Sequence, residues 1–181
     1  SLGLVGSEMC IRDRNLFISL AKMKTNSLTG ITCTLKNQFG CLPFIRKSLF
    51  HSVIDETIAE INRIIKQNST NLLGIVDGII GVGGIQGPAF GKPIKSNIVV
   101  IGNDFVAIDS FCAKYMGFDP KRISHIVRSE ELGVGKMNYE LDTSSATTLA
   151  DKRFSYPLYQ YIAFRLGDLI RRRSLLKLRS C

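Results

Sequence analysis

A chain of 181 residues, 45% apolar and 22% charged, can bury one hydrophobic core and has the composition of a folded domain. Its net charge of +9 is unevenly placed: Lys152 to Cys181 hold eight Lys and Arg against one acid, leaving only +2 for the rest. That split excludes a nucleic-acid footprint spread over the body, and no apolar run approaches the ~20 residues of a transmembrane helix.

Residues 1–14, Ser-Leu-Gly-Leu-Val-Gly-Ser-Glu-Met-Cys-Ile-Arg-Asp-Arg, have neither strand nor helix period. The string resembles a translated sequencing-adaptor read-through, a scar to be set aside from fold reasoning, with a disordered natural terminus as the alternative. On the scar reading the gene continues upstream and the chain is the C-terminal part of a domain. Residues 15–24 read as a strand and 25–32 as its loop. Thr32 to Phe39 reads as a short helix capped by Thr32 and ended by Gly40 and Pro43; 44–52 is a basic, aromatic loop. Ile54, Ile58, Ile61 and Ile65 give a helix over 53–67, with Asp55, Glu56, Glu60, Arg63 and Lys66 on its wet side. Leu72 to Val76 reads as a buried strand closed by Asp77-Gly78. From Gly81 to Pro93 the glycines and prolines predict a loop.

Asn97 to Gly102 reads as a second buried strand. Asp104 caps a helix over 105–116 that stops at Gly117; 122–132 is a further helix and 139–142 an edge strand. Near-continuous apolar strands alternating with helices predict an α/β fold with a mainly parallel sheet and flanking helices. The expected domains are an α/β domain over 15–150, incomplete at its N-terminus, and a basic amphipathic helical tail over 151–181. In the tail, Leu158, Ile162, Leu166, Leu169 and Leu176 form one stripe, with Arg165, Asp168, Arg171 and Arg172 opposite.

The best candidate site is Lys22 to Pro43. Cations, hydroxyls and backbone N–H groups just past a strand end suit an anion, so Lys22, Lys24, Thr25, Thr29, Lys36 and Asn37 are ligand-binding candidates. The alternative is an exposed loop and a solvated helix face. Asp77 and Asp109 are candidates for acid, base or metal-ligand oxygen; Asp109, among Val106, Ala107, Ile108 and Cys112, also reads as a buried structural acid. The identity of any metal is unknown. Gly81 to Gly87 misses the dinucleotide spacing, and Pro88 and Pro93 block the helix that should follow it; a flap over the site fits better. Cys10, Cys33, Cys41, Cys112 and Cys181 contain no C-x-x-C pair, and His51 and His125 lie far from them in sequence. No cofactor is therefore encoded in this segment by zinc or iron–sulfur spacing, and an iron–sulfur cluster would come only through a missing segment or a partner. Scattered thiols and the lack of a secretory signal predict a cytoplasmic protein.

Three blocks resemble the domain of unknown function 362 family. Lys22-Met-Lys-Thr-Asn-Ser-Leu-Thr-Gly-Ile-Thr-Cys-Thr-Leu-Lys-Asn-Gln-Phe-Gly matches its Lys-x-Lys-Thr-His-x-x-Thr-Gly-x-Thr-x-x-Leu-Lys-Asn-x-Phe-Gly hallmark. Asn26 stands where the family often has His. Ile75-Val-Asp-Gly with Gly87-Pro-Ala-Phe-Gly-Lys-Pro is similar to the second block, and Asp104-Phe-Val-Ala-Ile-Asp109 to the third. The resemblance spans residues 15–142; members are sometimes fused to iron–sulfur ferredoxin modules, which implies a redox or iron–sulfur-associated setting. The family's N-terminal half is absent here.

Two functional readings follow, and the sequence does not decide between enzyme and binding module. In one, the α/β domain binds a small anionic ligand, with or without a metal. In the other, a non-catalytic scaffold attaches an iron–sulfur protein partner to a membrane, with residues 156–179 lying peripherally on the inner surface; docking of the tail on the body or on a partner, with its arginines in water, is the equal alternative. Nucleic acid ranks third, because the basic run lacks a reading module.

Overall fold

The computed structural model describes residues 14–42, 47–84 and 91–142, together with Phe154 and Leu166. Strand β1 (Arg14–Asn26) turns through three residues into β2 (Gly30–Thr32). The Asn26 side chain stabilises that turn by accepting from the Leu28 and Thr29 N–H groups at 3.0 and 3.2 Å, an Asx-type turn. A four-residue helix, α1 (Thr34–Asn37), runs into a 3-10 turn, Gln38–Cys41. A second 3-10 segment, Lys47–Val53, leads to α2 (Ile54–Asn68). The long strands β3 (Ser69–Gly83) and β4 (Lys92–Gly102) follow, then α3 (Phe105–Tyr115) and α4 (Ser124–Glu131).

The four strands form one mixed sheet in the order β2-β1-β3-β4. Only β1 and β3 are parallel; β1 with β2 and β3 with β4 are antiparallel. The fold is α/β with flanking helices, but the expectation of a mainly parallel sheet is corrected. The reason lies in the connections. A parallel pair needs a crossover of a dozen residues or more, and only the helical segment between β1 and β3 supplies one; the short links from β1 to β2 and from β3 to β4 return the chain antiparallel.

Both long strands extend beyond their apolar runs. Gly81, Val82 and Gly83 pair with Ile94, Pro93 and Lys92, so the loop expected from Gly81 to Pro93 begins later and ends earlier. These glycines are strand residues because a side chain would collide: a Cβ on Gly81 would lie 2.7 Å from the Phe154 ring. Phe154 is buried there, and its N–H donates to the Met116 carbonyl at 3.2 Å. The two reading faces of the sheet differ. Ala21, Met23 and Val76 face the helices and join Ile58, Phe105, Val106 and Ile126 in the main core. The alternate residues, among them Leu20, Val99 and Ile101, are exposed, so the strand expected to be buried at 97–102 is a half-exposed edge strand.

The periodic apolar residues of α2 are buried as expected, but so are Asp55, Thr57 and Asn62. Asn62 Nδ2 donates to the Leu35 and Ile58 carbonyls at 2.9 and 2.8 Å, and α2 packs on α4 as well as on the sheet side. Asp104 caps α3 as expected, accepting from Val106 and Ala107 N–H at 2.8 and 3.1 Å, and its second oxygen accepts from Lys136 N–H at 2.9 Å. Residues 139–142 form no strand. Tyr139 instead sets its ring edge-on to Phe111 at 5.7 Å, with the Lys114 ammonium over its face. Residues 1–13, and the tail except Phe154 and Leu166, lie outside the described residues. Among those described, no helix is long and apolar enough to cross a membrane.

Candidate functional site

Strands β1 and β3 run in parallel, so their C-terminal halves arrive side by side, and the candidate residues of both fall there. Lys22 and Asp77 are register partners. Lys22 Nζ donates to Asp77 Oδ2 at 2.8 Å, with both side chains about two-fifths exposed (41% and 42%). Asp77 Oδ1 also accepts from Ile79 N–H at 3.0 Å. The ammonium and this N–H hold the Asp77 carboxyl below its usual range. Directly beyond the pair, β1 shifts register between Lys22 and Lys24, and β3 between Gly78 and Ile80. Such bulges re-aim side chains at a sheet end.

Lys36 projects from α1 and is partly buried. Burial first, and then repulsion from Lys24, push its ammonium down to about 8, against a weaker opposing pull from Asp55. Two lysines from different elements therefore face one electrostatic neighbourhood, and one of them is strained in its charged form. The remaining candidates are committed to the framework. Thr25 Oγ1 donates to the Gly84 carbonyl at 2.7 Å, and Thr29 Oγ1 to that of Ile31 at 3.0 Å; both residues are buried. Asn37 is exposed, and its Nδ2 donates to the Leu20 carbonyl at 3.1 Å. Of the six ligand-binding candidates, Thr25, Thr29 and Asn37 are thus turned to backbone carbonyls and Lys22 to Asp77.

Asp109 is fully buried. Its Oδ1 accepts from Thr34 N–H at 2.7 Å and from Thr34 Oγ1 at 2.5 Å, and its Oδ2 from Leu35 N–H at 3.1 Å. A side chain from α3 thus caps α1, a role the sequence assigned to Thr32, which lies in β2 and makes no such bond. Burial nonetheless pushes the Asp109 carboxyl up to about 7, with the Thr34 and Leu35 donors pulling the other way. Asp109 fixes the helix that carries Lys36 and Asn37, which is the buried structural reading.

Sequence reasoning missed Asp55 and His125. They lie on α2 and α4, 70 positions apart, with His125 Nδ1 3.8 Å from Asp55 Oδ1. His125 is fully buried and neither ring nitrogen has a hydrogen-bond partner. Burial, followed by the Lys36 charge, lowers its pKa to about 3, so the ring is neutral and the contact with Asp55 is not an ion pair. No local spacing signals this pair; only the packing of α4 on α2 creates it. Among the described residues, no group of three or more His, Cys, Asp or Glu side chains is placed to hold a metal. A cleft of about 250 Å³ lies at the C-terminal end of β4 against α3, lined by Val100, Gly102, Asp104, Phe111, Tyr139 and Leu141, and includes neither Lys22 nor Asp77.

The chain is 26% identical over 132 residues to the thylakoid-associated protein sll1697 of Synechocystis sp., a match covering 71% of this chain and 41% of that protein. It therefore spans about two-fifths of the length of the curated relative it matches. No solved structure matches. The family described as "Domain of unknown function (DUF362)" matches residues 8–114, which is more than half of the sequence and includes β1, the Lys22–Asp77 pair and the capping Asp109. The chain belongs to this family.

Proposed function

We propose that the body of this chain binds a small anionic ligand through Lys22, Lys24 and Lys36, with Asp77 as the carboxylate available for acid, base or metal-ligand work. Thr25, Thr29 and Asn37 hold the surrounding backbone, and Asp109 anchors α1. The observation that carries this reading is the mutual repulsion of Lys24 and Lys36, which together with burial holds Lys36 to about 8. An anion between them would relieve that repulsion, so binding and Lys36 protonation reinforce one another. The redox context, with an iron–sulfur protein partner, is supplied by the family resemblance.

Sulfate is a suitable probe because its charge is constant near neutral pH. Its affinity for the 181-residue chain should fall as pH rises through about 8, where Lys36 loses its proton. Lys24→Ala and Lys36→Met should each weaken binding about tenfold, the worth of one charge-assisted hydrogen bond, while the urea midpoint stays put. Unchanged affinity in both variants overturns the assignment.

The printed name of the Synechocystis relative, a thylakoid-associated protein, favours a second reading: a scaffold held peripherally at a membrane surface by basic residues of 156–179. Deleting residues 156–181 should then release the protein from anionic vesicles without unfolding the body. Retention on the vesicles rules this reading out.

A further inference from the structure

Helix α1 is pinned to β1 at both ends. Thr32, the last residue of β2, pairs with Lys24, and α1 begins two residues later. At its far end Asn37 Nδ2 donates back to the Leu20 carbonyl at 3.1 Å, and from α3 the Asp109 carboxylate clamps the first turn. Lys36 is therefore held beside the stretch of β1 from Leu20 to Lys24. Because α1 also packs on α2 and α4, the same junction receives Asp55 and His125, with His125 Nδ1 3.8 Å from Asp55 Oδ1.

Two other lysines of the body have structural work. Lys22 Nζ is tied to Asp77, and Lys66 Nζ donates to the Gly133 and Val134 carbonyls at 3.0 and 2.9 Å. Lys36 has no such hydrogen bond among the described residues. It is half-buried beside a second cation, Lys24, and the pull of Asp55 does not compensate. At pH 8 about half of it is free amine, on the order of a hundredfold more than an ordinary lysine keeps there. A desolvated amine next to another cationic group is the arrangement that turns lysine into a nucleophile for carbonyl carbon. His125, lowered to about 3, is neutral at that pH and adds no charge.

Lys24 decides which carbonyl compound suits this amine. Unlike Lys22, it makes no ion pair among the described residues, so its charge is available to a ligand. A ligand with a carboxylate next to its carbonyl group meets both side chains: charge for Lys24, and an electrophilic carbon for Lys36. A neutral ketone meets only the second. The condensation needs no cofactor and no oxidant. The Lys36 nitrogen bonds to the keto carbon, both amine protons end on the keto oxygen, and that oxygen leaves as water.

We propose that Lys36 forms an imine with a small 2-oxo acid whose carboxylate is held by Lys24. This rests on the anion site of these two lysines and adds covalent chemistry to it. In the test, the full chain is incubated with pyruvate at pH values on either side of 8, quenched with borohydride and mapped by mass spectrometry. One reduced adduct per chain is expected, on Lys36, about tenfold or more above any other lysine. Its yield should rise as pH climbs toward 8, the direction opposite to sulfate affinity, and sulfate should compete with it. Acetone, which lacks the carboxylate, should label several-fold less, and Lys24→Ala should erase the preference for pyruvate. Lys36→Arg, with the urea midpoint unchanged, should remove the adduct. Sulfate binding without an adduct, or an adduct spread evenly over the lysines, overturns the imine and leaves the anion site standing. Equal labelling by acetone and pyruvate with no sulfate bound overturns the anion site, and the 2-oxo acid with it.

Discussion

Asp109→Ala should be the most damaging single substitution in the body, costing about 3–5 kcal/mol, because it leaves buried N–H donors unpaired at about 1–3 kcal/mol each. The loss is large because the Thr34 and Leu35 N–H groups that donate to the carboxylate belong to the first turn of a helix of only four residues. No water reaches that turn, and α1 has too few internal bonds to stand without its cap. Urea unfolding followed by far-UV circular dichroism should show the midpoint fall at unchanged slope, by that loss divided by the slope. A fall under 1 kcal/mol would mean that another group satisfies these donors. Asn is no remedy, since its amide would turn N–H groups toward N–H donors.

His125→Leu should change the pH dependence of stability in a direction opposite to Asp109→Asn. Asp109 is raised to about 7 by burial from an ordinary 3.8, so folding favours its protonated form. Its contribution is full below about pH 4 and is lost as pH rises toward 7. His125 is lowered to about 3 from an ordinary 6.5, so folding favours the neutral ring. That contribution is full above pH 6.5 and is lost as pH falls toward 3. Between pH 4 and 6.5 the two slopes oppose one another, each at most about 1.4 kcal/mol per pH unit. Relative to wild type, His125→Leu should lose stability as pH rises across this window, and Asp109→Asn should gain it. The leucine should also raise stability near pH 5 by about 1–3 kcal/mol, because it removes two unpaired buried nitrogens. The neighbours of the ring, Asp55 and Lys36, remain in place in both variants. Parallel pH profiles for wild type and His125→Leu would show that the ring does not titrate between the folded and unfolded states.

What could be read along the chain was whatever depends on near neighbours. The strand at 15–24, the isoleucine period of α2 and the Asp104 cap of α3 are all set within a few residues, and each lies where the sequence places it, although Leu16, Ile18 and Leu20 of that strand are exposed. Strand direction was not readable, because Leu72–Val76 and Ile98–Ile101 look alike whether a neighbour runs parallel or antiparallel. Gly81 looked like a loop residue because the Phe154 ring that occupies its missing side chain is some seventy positions away, and Gly83 because the Ile94 side chain that does so comes from the next strand. Asp55 looked wet because the helix that covers it, α4, cannot be anticipated from the α2 period. The site divides in the same way. Lys22 and Asp77 were singled out separately, and the register that joins them belongs to the sheet. The hydroxyls of Thr25 and Thr29 suggested ligand contacts but are turned to backbone carbonyls.

The cap that Asp109 provides also fixes the order of assembly. β1 emerges early in synthesis, yet its parallel partner β3 follows only after the α2 crossover, and α1 cannot close until α3 has been made. Contacts of such separation form late, since the chain must first meet the entropy of closing the long loop. The lysine-bearing turn around Lys36 is therefore among the last parts of the body to take shape, well after the helix that follows it in sequence. A nascent chain halted before residue 109 would present β1, with Leu16, Ile18 and Leu20 bare on one side and no anchored α1 on the other, as a strand ready to pair with the wrong neighbour.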